Sequence, residues 1–193
     1  MSLLESSLNF TKFMVALQKV ERAIYIPGED RKENDAEHSY QLAMLAWYLI
    51  QKQGLQLDME KVFAFALVHD LVEVYAGDTH AHGDQARIDS KEAREREAAE
   101  KIAEQFPDFP EMSQTIAEYE ANTTPEAQFV YVLDKIIPML NIMLDGGRLW
   151  REQNITIPKI EIMKRAKVSI SPELAPLFDE IMDFLASNPS YLP

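Results

Sequence analysis

His69 and Asp70 follow directly on seven apolar residues, 62–68, and Glu73 stands three positions beyond Asp70. A helix that is hydrophobic around most of its circumference is a central helix in a soluble protein. Ionisable groups at its end are costly to bury unless they are paired or bound to a metal. His69 and Glu73 are four apart and Asp70 and Glu73 three apart, so on a helix all three crowd one side. Two further ionisable residues face inward on apolar helices. His38 lies four before Leu42 in the stripe Leu42, Leu45, Leu49, and Asp134 sits among Phe129, Val130, Val132, Leu133, Ile136 and Ile137. Taken singly each has a plain structural role, His38 as a hydrogen-bonded core residue and Asp134 as a helix-interior acid paired with Lys135. Taken together, two imidazoles and two carboxylates from three core helices form a mixed ligand set. Such a set suits a borderline divalent cation and leaves coordination positions open to water and substrate.

The elements that must position these residues are helical. Phe10, Phe13, Met14, Leu17, Val20 and Ile24 recur at helical spacing, which predicts a first helix with Arg22 near its end and Pro27-Gly28 as its stop. Asn34 or Asp35 caps a second helix, with Glu37 placed for a capping box, and Gly54 closes it. Asp58 caps the central helix, which Gly77 ends. A loop, 78–84, leads to a charge-dense stretch, 89–106, that reads as a helix on the outside of the molecule. A shorter helix follows at 111–121. Thr124-Pro125-Glu126 opens a long apolar helix that Gly146-Gly147 ends. Two last helices begin near Thr156 and near Ser171-Pro172-Glu173. No stretch sustains period-two alternation, so the expected fold class is all-α, with about seven to eight helices.

Composition narrows the function. At 193 residues and 47% apolar, residues 1–193 suit a single domain with a real core. There is no cysteine, so any metal must use His, Asp or Glu, and a reducing cytoplasmic setting is the expectation. No apolar run approaches membrane-spanning length by eye, and no signal peptide is apparent. A net charge of −13 argues against a face for nucleic-acid polymers. A small anionic substrate would need a local cluster of basic residues or a cation.

The order His38, His69-Asp70, Asp134 resembles the H…HD…D signature of the HD-domain metal-dependent phosphohydrolases. The resemblance extends through AEHSYQLAMLAWYL, LVHDLVEVYAGDT, KEAREREAA, TTPEAQFVYVLDKIIPML and GGRLW, from about Arg22 to Trp150. A bare His-Asp pair is weak evidence, whereas the ordered set with HDxxExxxGD is specific. These segments are similar to the small single-domain branch that includes 5′-deoxynucleotidases. The resemblance implies an HD-domain helical bundle holding one divalent cation (Mn²⁺, Co²⁺, Mg²⁺, Fe²⁺ or Zn²⁺) on His38, His69, Asp70 and Asp134. It implies hydrolysis of a small phosphorylated substrate, a nucleoside 5′-monophosphate, by a homodimer. Glu73 is carried over as the residue that orients or deprotonates the attacking water, and Asp78 as a contact to the sugar or leaving group. Arg22 and Arg31 match the positions of phosphate-clamping arginines. Lys91, Arg94 and Lys135 fit the pattern too, the first two reading more simply as helix-surface salt bridges.

One position departs. The deoxynucleotidase branch has a tryptophan directly after its phosphate-binding arginine, where it packs on the sugar, and here Ala23 stands there. Either Tyr25 substitutes for it or the deoxyribose preference is lost. His80 and His82, a His-x-His in the loop, read as substrate-loop or solvent residues and not as a second metal site. Two other functions remain open: a phosphodiesterase, pyrophosphohydrolase or phosphatase for another small ester, and a nucleotide-binding regulatory module without turnover. A pure binder has no need of a water-activating acid such as Glu73.

Overall fold

A computed structural model describes residues 2–78 and 85–193; His80 and His82 lie outside the described residues. The fold is helical, as the periodicity predicts. Eight helices of ten residues or more are present among the described residues, with three short ones and one small two-stranded sheet. The sheet is where the structure departs from the sequence reading. Helix α1 (Leu3–Leu17) opens on a Ser2/Glu5 capping box and stops at Leu17, well short of Ile24. Glu21–Tyr25 then form β1, paired antiparallel with β2 (Lys32–Asn34), Glu21 opposite Asn34 and Tyr25 opposite Lys32. Pro27-Gly28 is a hairpin turn and not a helix stop. The Glu29 N–H donates to the Ile26 carbonyl at 2.9 Å and Gly28 has φ +83°, the conformation that proline followed by glycine at the two central positions favours. Arg22 therefore rides on a strand whose partner carries Glu33.

Helix α2 (Asp35–Gln53) has the expected capping box, Asn34 Oδ1 accepting from the Ala36 and Glu37 N–H groups while Glu37 accepts from the Asn34 N–H. Asp58 caps α3 (Met59–Val68). The central segment is not one helix to Gly77: α4 (Glu73–Ala76) is separate. Next come α5 (Gln85–Asp89), α6 (Lys91–Gln105) and α7 (Pro110–Ala121). Of α6 only Ala98 and Ile102 are buried, which matches its charge-dense sequence.

Helix α8 (Pro125–Leu144) runs unbroken past Pro138 and packs on α2 and α3. By length and composition it is the one described helix apolar enough to cross a membrane, which inspection of apolar runs does not reveal. It serves here as a core helix, since 61% of that span is buried in the protein. Phe129, Val130, Val132, Leu133, Ile136 and Ile137 are fully buried along it. Each such side chain contributes about 1.5–3 kcal/mol relative to exposure.

The chain ends in α9 (Arg148–Glu152), α10 (Ile157–Val168), α11 (Ala175–Ser187) and a 3₁₀ turn, Pro189–Tyr191. Gly147, at the junction of α8 and α9, has φ +80°, and a Cβ there would lie 2.0 Å from the Tyr191 carbonyl oxygen. Only glycine lets that turn seat against α9, and α9 carries Trp150 to the wall of the cavity described next.

Candidate metal centre

The break between α3 and α4 aims the chemistry. After Val68 the backbone tightens: the N–H groups of Leu71, Glu73, Val74 and Tyr75 reach back three residues, to carbonyls at 2.9–3.3 Å. In such turns residues i and i+3 eclipse, so Asp70 and Glu73 fall on the same side. His69 Nδ1 lies 2.9 Å from the Ala66 carbonyl, the acceptor that the Asp70 N–H would use in a continuing α-helix. That bond places the proton on Nδ1 and turns Nε2, with its lone pair, inward. Buried His69 Nε2 has no hydrogen-bond partner. Its lone pair is free for a ligand.

His38 from α2, His69 and Asp70 from the α3 end, and Asp134 from α8 converge. One donor atom from each lies within 4.8 Å of all the others. His38 Nε2 is 2.9 Å from Asp134 Oδ1, and His69 Nε2 is 2.9 Å from Asp70 Oδ2. These residue types at these separations fit a divalent cation with open positions, and the unpartnered imidazole nitrogen is the structural sign that they do. The outer contacts fit as well. His38 Nδ1 is 3.2 Å from Glu33 Oε1, the carboxylate–histidine arrangement that fixes a ligating ring, although the angle falls short of a formed hydrogen bond.

Arg22 organises the carboxylates. Its Nε lies 3.1 Å from Glu33 Oε1, Nη1 3.2 Å from Asp35 Oδ1 and in short contact with Asp70 Oδ2, and Nη2 3.4 Å from Asp134 Oδ1. Lys135 Nζ holds Asp134 Oδ2 at 2.5 Å. Burial works against ionising Asp70 and Asp134, yet both sit well below the usual carboxylate range. The His69 ring and Arg22 hold down the first, and Lys135 and His38 the second. For His38, burial pushes down but the nearby carboxylates of Asp134 and Glu33 win, and its pKa rises to about 9. A cation binds neutral imidazole, so its arrival at this ring displaces a proton.

Glu73 is buried with Oε2 unpartnered, and burial followed by the charges of Asp70 and Asp35 pushes its pKa up to about 10. It is the group in the cluster most ready to hold a proton. A cavity of about 490 Å³ opens on the quartet, lined by Arg22, Ala23, Asp70, Glu73, Asp78 and Asp134 among others. Asp78 thus reaches the site, as does Trp150, whereas Tyr25 is absent from the lining and carries the Arg148 guanidinium on its ring at 3.9 Å. Arg31 is not brought to the site. It is half exposed, pairs with Glu37 at 2.8 Å and Glu29 at 2.9 Å, and does not line the cavity. Lys91 pairs with Glu95 at 3.3 Å and also lines the cavity, while Arg94 donates to the Ala76 and Arg87 carbonyls.

Sequence reasoning missed Glu33 and Asp35, both buried and bonded to Arg22. They flank the cap residue Asn34, and the three-residue strand that turns Glu33 inward is too short to show a period.

A helical bundle that gathers two imidazoles and two carboxylates from three helices defines a class of metal-binding α-domain. Residues 14–175 match the family described as an HD domain. The chain belongs to the HD-domain family. Over 134 residues it is 31% identical to the 5′-deoxynucleotidase HDDC2 of Xenopus laevis, spanning 68% of this chain and 65% of that protein. The chain thus spans just under two thirds of the length of that relative. It is 40% identical over 79 residues to the 5′-deoxynucleotidase YfbR of Salmonella paratyphi B, 39% of each chain. A crystal structure described as a predicted metal-dependent phosphohydrolase from Magnetospirillum magnetotacticum superposes with a TM-score of 0.79 at 30% identity, covering 100% of this chain and 99% of that one.

Proposed function

We propose that this protein is a divalent-metal-dependent 5′-nucleotidase that hydrolyses nucleoside 5′-monophosphates, deoxy and ribo alike, to nucleoside and inorganic phosphate. The observation that carries the reading is the convergence of His38, His69, Asp70 and Asp134 to within 4.8 Å, in a chain of the HD-domain family whose relatives bear that activity. These four residues hold the cation, whose identity their donor set leaves among Mn²⁺, Co²⁺, Mg²⁺, Fe²⁺ and Zn²⁺. When bound it supplies Lewis acidity to a phosphoryl oxygen and lowers the pKa of water.

The chain's own residues do the rest. Water adds to phosphorus, its proton passes to Glu73 Oε2, which the charge of a bound cation would leave ionised, the P–O5′ bond breaks, and Glu73 returns that proton to O5′, so that the nucleoside leaves with its 5′-hydroxyl protonated. Burial and the charge of Asp70 make Glu73 the strongest proton acceptor of the carboxylates there. Arg22 helps to keep Asp70 ionised, contacts Asp134, and adds positive charge to the cavity wall where a phosphate dianion enters. Asp78 lines the same wall, which supports a contact to the sugar.

Protein stripped of metal and reloaded with Mn²⁺, Co²⁺ or Mg²⁺ tests this against deoxy- and ribonucleoside monophosphates and bis(p-nitrophenyl) phosphate. Phosphate release from nucleoside monophosphates is the expected result, the deoxy forms included. Cleavage of the diester alone, or no turnover on any substrate, would overturn it.

Residues 1–193 are read as one folding unit, since all helices except α5 contribute to one contiguous core. Cytoplasmic residence accords with the lack of cysteine. A homodimer is supported by the outer face of α2. Tyr40, Met44, Trp47 and Tyr48 recur there at i, i+4, i+7 and i+8, each more than two-fifths exposed, and Leu67 of α3 is likewise exposed. A contiguous apolar surface of that kind marks an association site. Sedimentation equilibrium should give twice the 22.1 kDa chain mass, and Tyr48→Glu should give the single mass. A wild-type protein that sediments as one chain rules the dimer out.

A further inference from the structure

Positive charge collects in one place on this acidic chain. Arg22, Lys91, Lys135, Lys164 and Lys167 all line the cavity onto which Asp70 and Asp134 of the quartet open, five of the 19 lysines and arginines in a protein of net charge −13. Three of the five have carboxylate partners. Arg22 spans Glu33, Asp35, Asp70 and Asp134, Lys135 holds Asp134, and Lys91 pairs with Glu95.

Lys164 and Lys167 are different. Both lie on α10, three apart, so they share a face of the helix. Lys164 Nζ donates one hydrogen bond, to the Lys135 carbonyl at 3.1 Å, and has no ion pair among the described residues. An ammonium has three N–H donors, so two are left for something else. Lys167 makes neither a hydrogen bond nor an ion pair among the described residues, yet it too lines the cavity. Burial, then repulsion from Lys135, lowers the Lys164 pKa to about 8, the mark of a cation with too little negative charge around it. A purely structural lysine at such a place would have a carboxylate to neutralise it. An anion that enters the cavity supplies the missing charge.

We propose that Lys164 and Lys167 are substrate-binding residues that grip the non-bridging oxygens of the phosphoryl group. The inference rests on the phosphate-ester reading of this site and extends it to a helix on which neither the HD dipeptide nor the other metal ligands lie. Arg22 is bound up with the carboxylates, so the direct contacts to phosphate fall to the lysines of α10. Lysine suits this task as a mobile point charge with three donors.

Two measurements on the Mg²⁺-loaded protein test it: calorimetric binding of inorganic phosphate, and steady-state hydrolysis of a deoxynucleoside monophosphate. Losing a charge-assisted contact predicts that Lys164→Met weakens phosphate binding and raises KM by about tenfold or more. kcat and Mg²⁺ affinity should stay within about threefold of wild type, since on this reading the contact forms equally in ground and transition states. Lys164→Arg should recover most of the loss, and Lys167→Met should give a smaller shift in the same direction. Lys167 is exposed, so that variant keeps the test alive should Lys164→Met fail to fold. Phosphate affinity and KM that match wild type in the folded variants would overturn the proposal. A wild type that binds phosphate through these lysines but hydrolyses no monoester would instead overturn the nucleotidase reading and leave the grip standing.

Discussion

His69→Ala is expected to give a folded helical protein that no longer retains a divalent cation and releases phosphate about a thousandfold more slowly or worse. The ring contributes little to the fold that alanine cannot replace. Its Nδ1 occupies the Ala66 carbonyl at 2.9 Å, and its buried Nε2 faces Asp70 Oδ2 at 2.9 Å without a formed hydrogen bond. Were His69 a packing residue, its loss would lower stability by about 1–3 kcal/mol and leave metal content alone. As a ligand, its loss empties the site while His38, Asp70 and Asp134 stay in place. Metal per chain after dialysis, a thermal melt and phosphate release decide between the two. Glu33→Gln supplies an intermediate point, because outer contacts to a ligating histidine are worth about ten- to a hundredfold in metal affinity. Retention of one cation per chain by His69→Ala, with activity intact, would remove the basis of the metal centre.

The residues of the quartet were legible in sequence because His38 and Asp134 sit on long helices whose period is unambiguous, and His69-Asp70 directly follows the apolar run of α3. His38 falls on the stripe of α2 through Leu42, and Asp134 lies among the buried apolar residues Val130, Val132, Leu133, Ile136 and Ile137 of α8. What surrounds the quartet was not legible, and the reason is physical. Val20 and Ile24 continue the helical period of α1, so the pattern alone could not reveal that Arg22 belongs to a strand. Pro27-Gly28 carried that information, since the pair both stops a helix and makes a hairpin turn, and only the pairing of Glu21 with Asn34 decides which. Glu33 and Asp35 are buried only because that hairpin forms. The split of the central helix at His69 is likewise accompanied by a ring-to-carbonyl bond that periodicity cannot register. Lys164 and Lys167 look like surface residues of a weakly amphipathic helix until α10 is seen to wall the cavity. Arg31 shows the reverse error: a position in register with a motif, yet paired with Glu37 away from the site.

Glu73→Gln should lower kcat by about 10² to 10⁴ while the cation is retained, and should at the same time make the metal-free protein more heat-resistant at alkaline pH. The second effect follows from proton linkage. Burial and the charge of Asp70 raise the folded-state pKa of Glu73 from 4.5 to about 10, so across that interval the folded protein keeps a proton that the unfolded chain has released. Stability therefore falls as pH rises, by about 1.4 kcal/mol per pH unit for each proton so held. Asp35, raised by burial and then by Asp70 to about 7 from 3.8, acts in the same direction over the lower part of the range. His38, raised from 6.5 to about 9 by the carboxylates of Asp134 and Glu33 in spite of burial, acts in the same direction over the upper part. The opposing groups lie elsewhere: Asp70 and Asp134 lose their contribution only in acid, and Lys164 counts only above about 8. From pH 5 to 8 the metal-free wild type should thus lose melting temperature steadily, at about 2–4 °C per kcal/mol for a chain of this size. Glutamine at position 73 deletes one of these protons and flattens the slope, so the two melting curves should separate as pH rises, with the catalytically crippled variant the more stable. If the metal-free wild type melts higher at pH 8 than at pH 5, or the variant shows the same slope, Glu73 is not the buried proton acceptor on which the hydrolytic step depends.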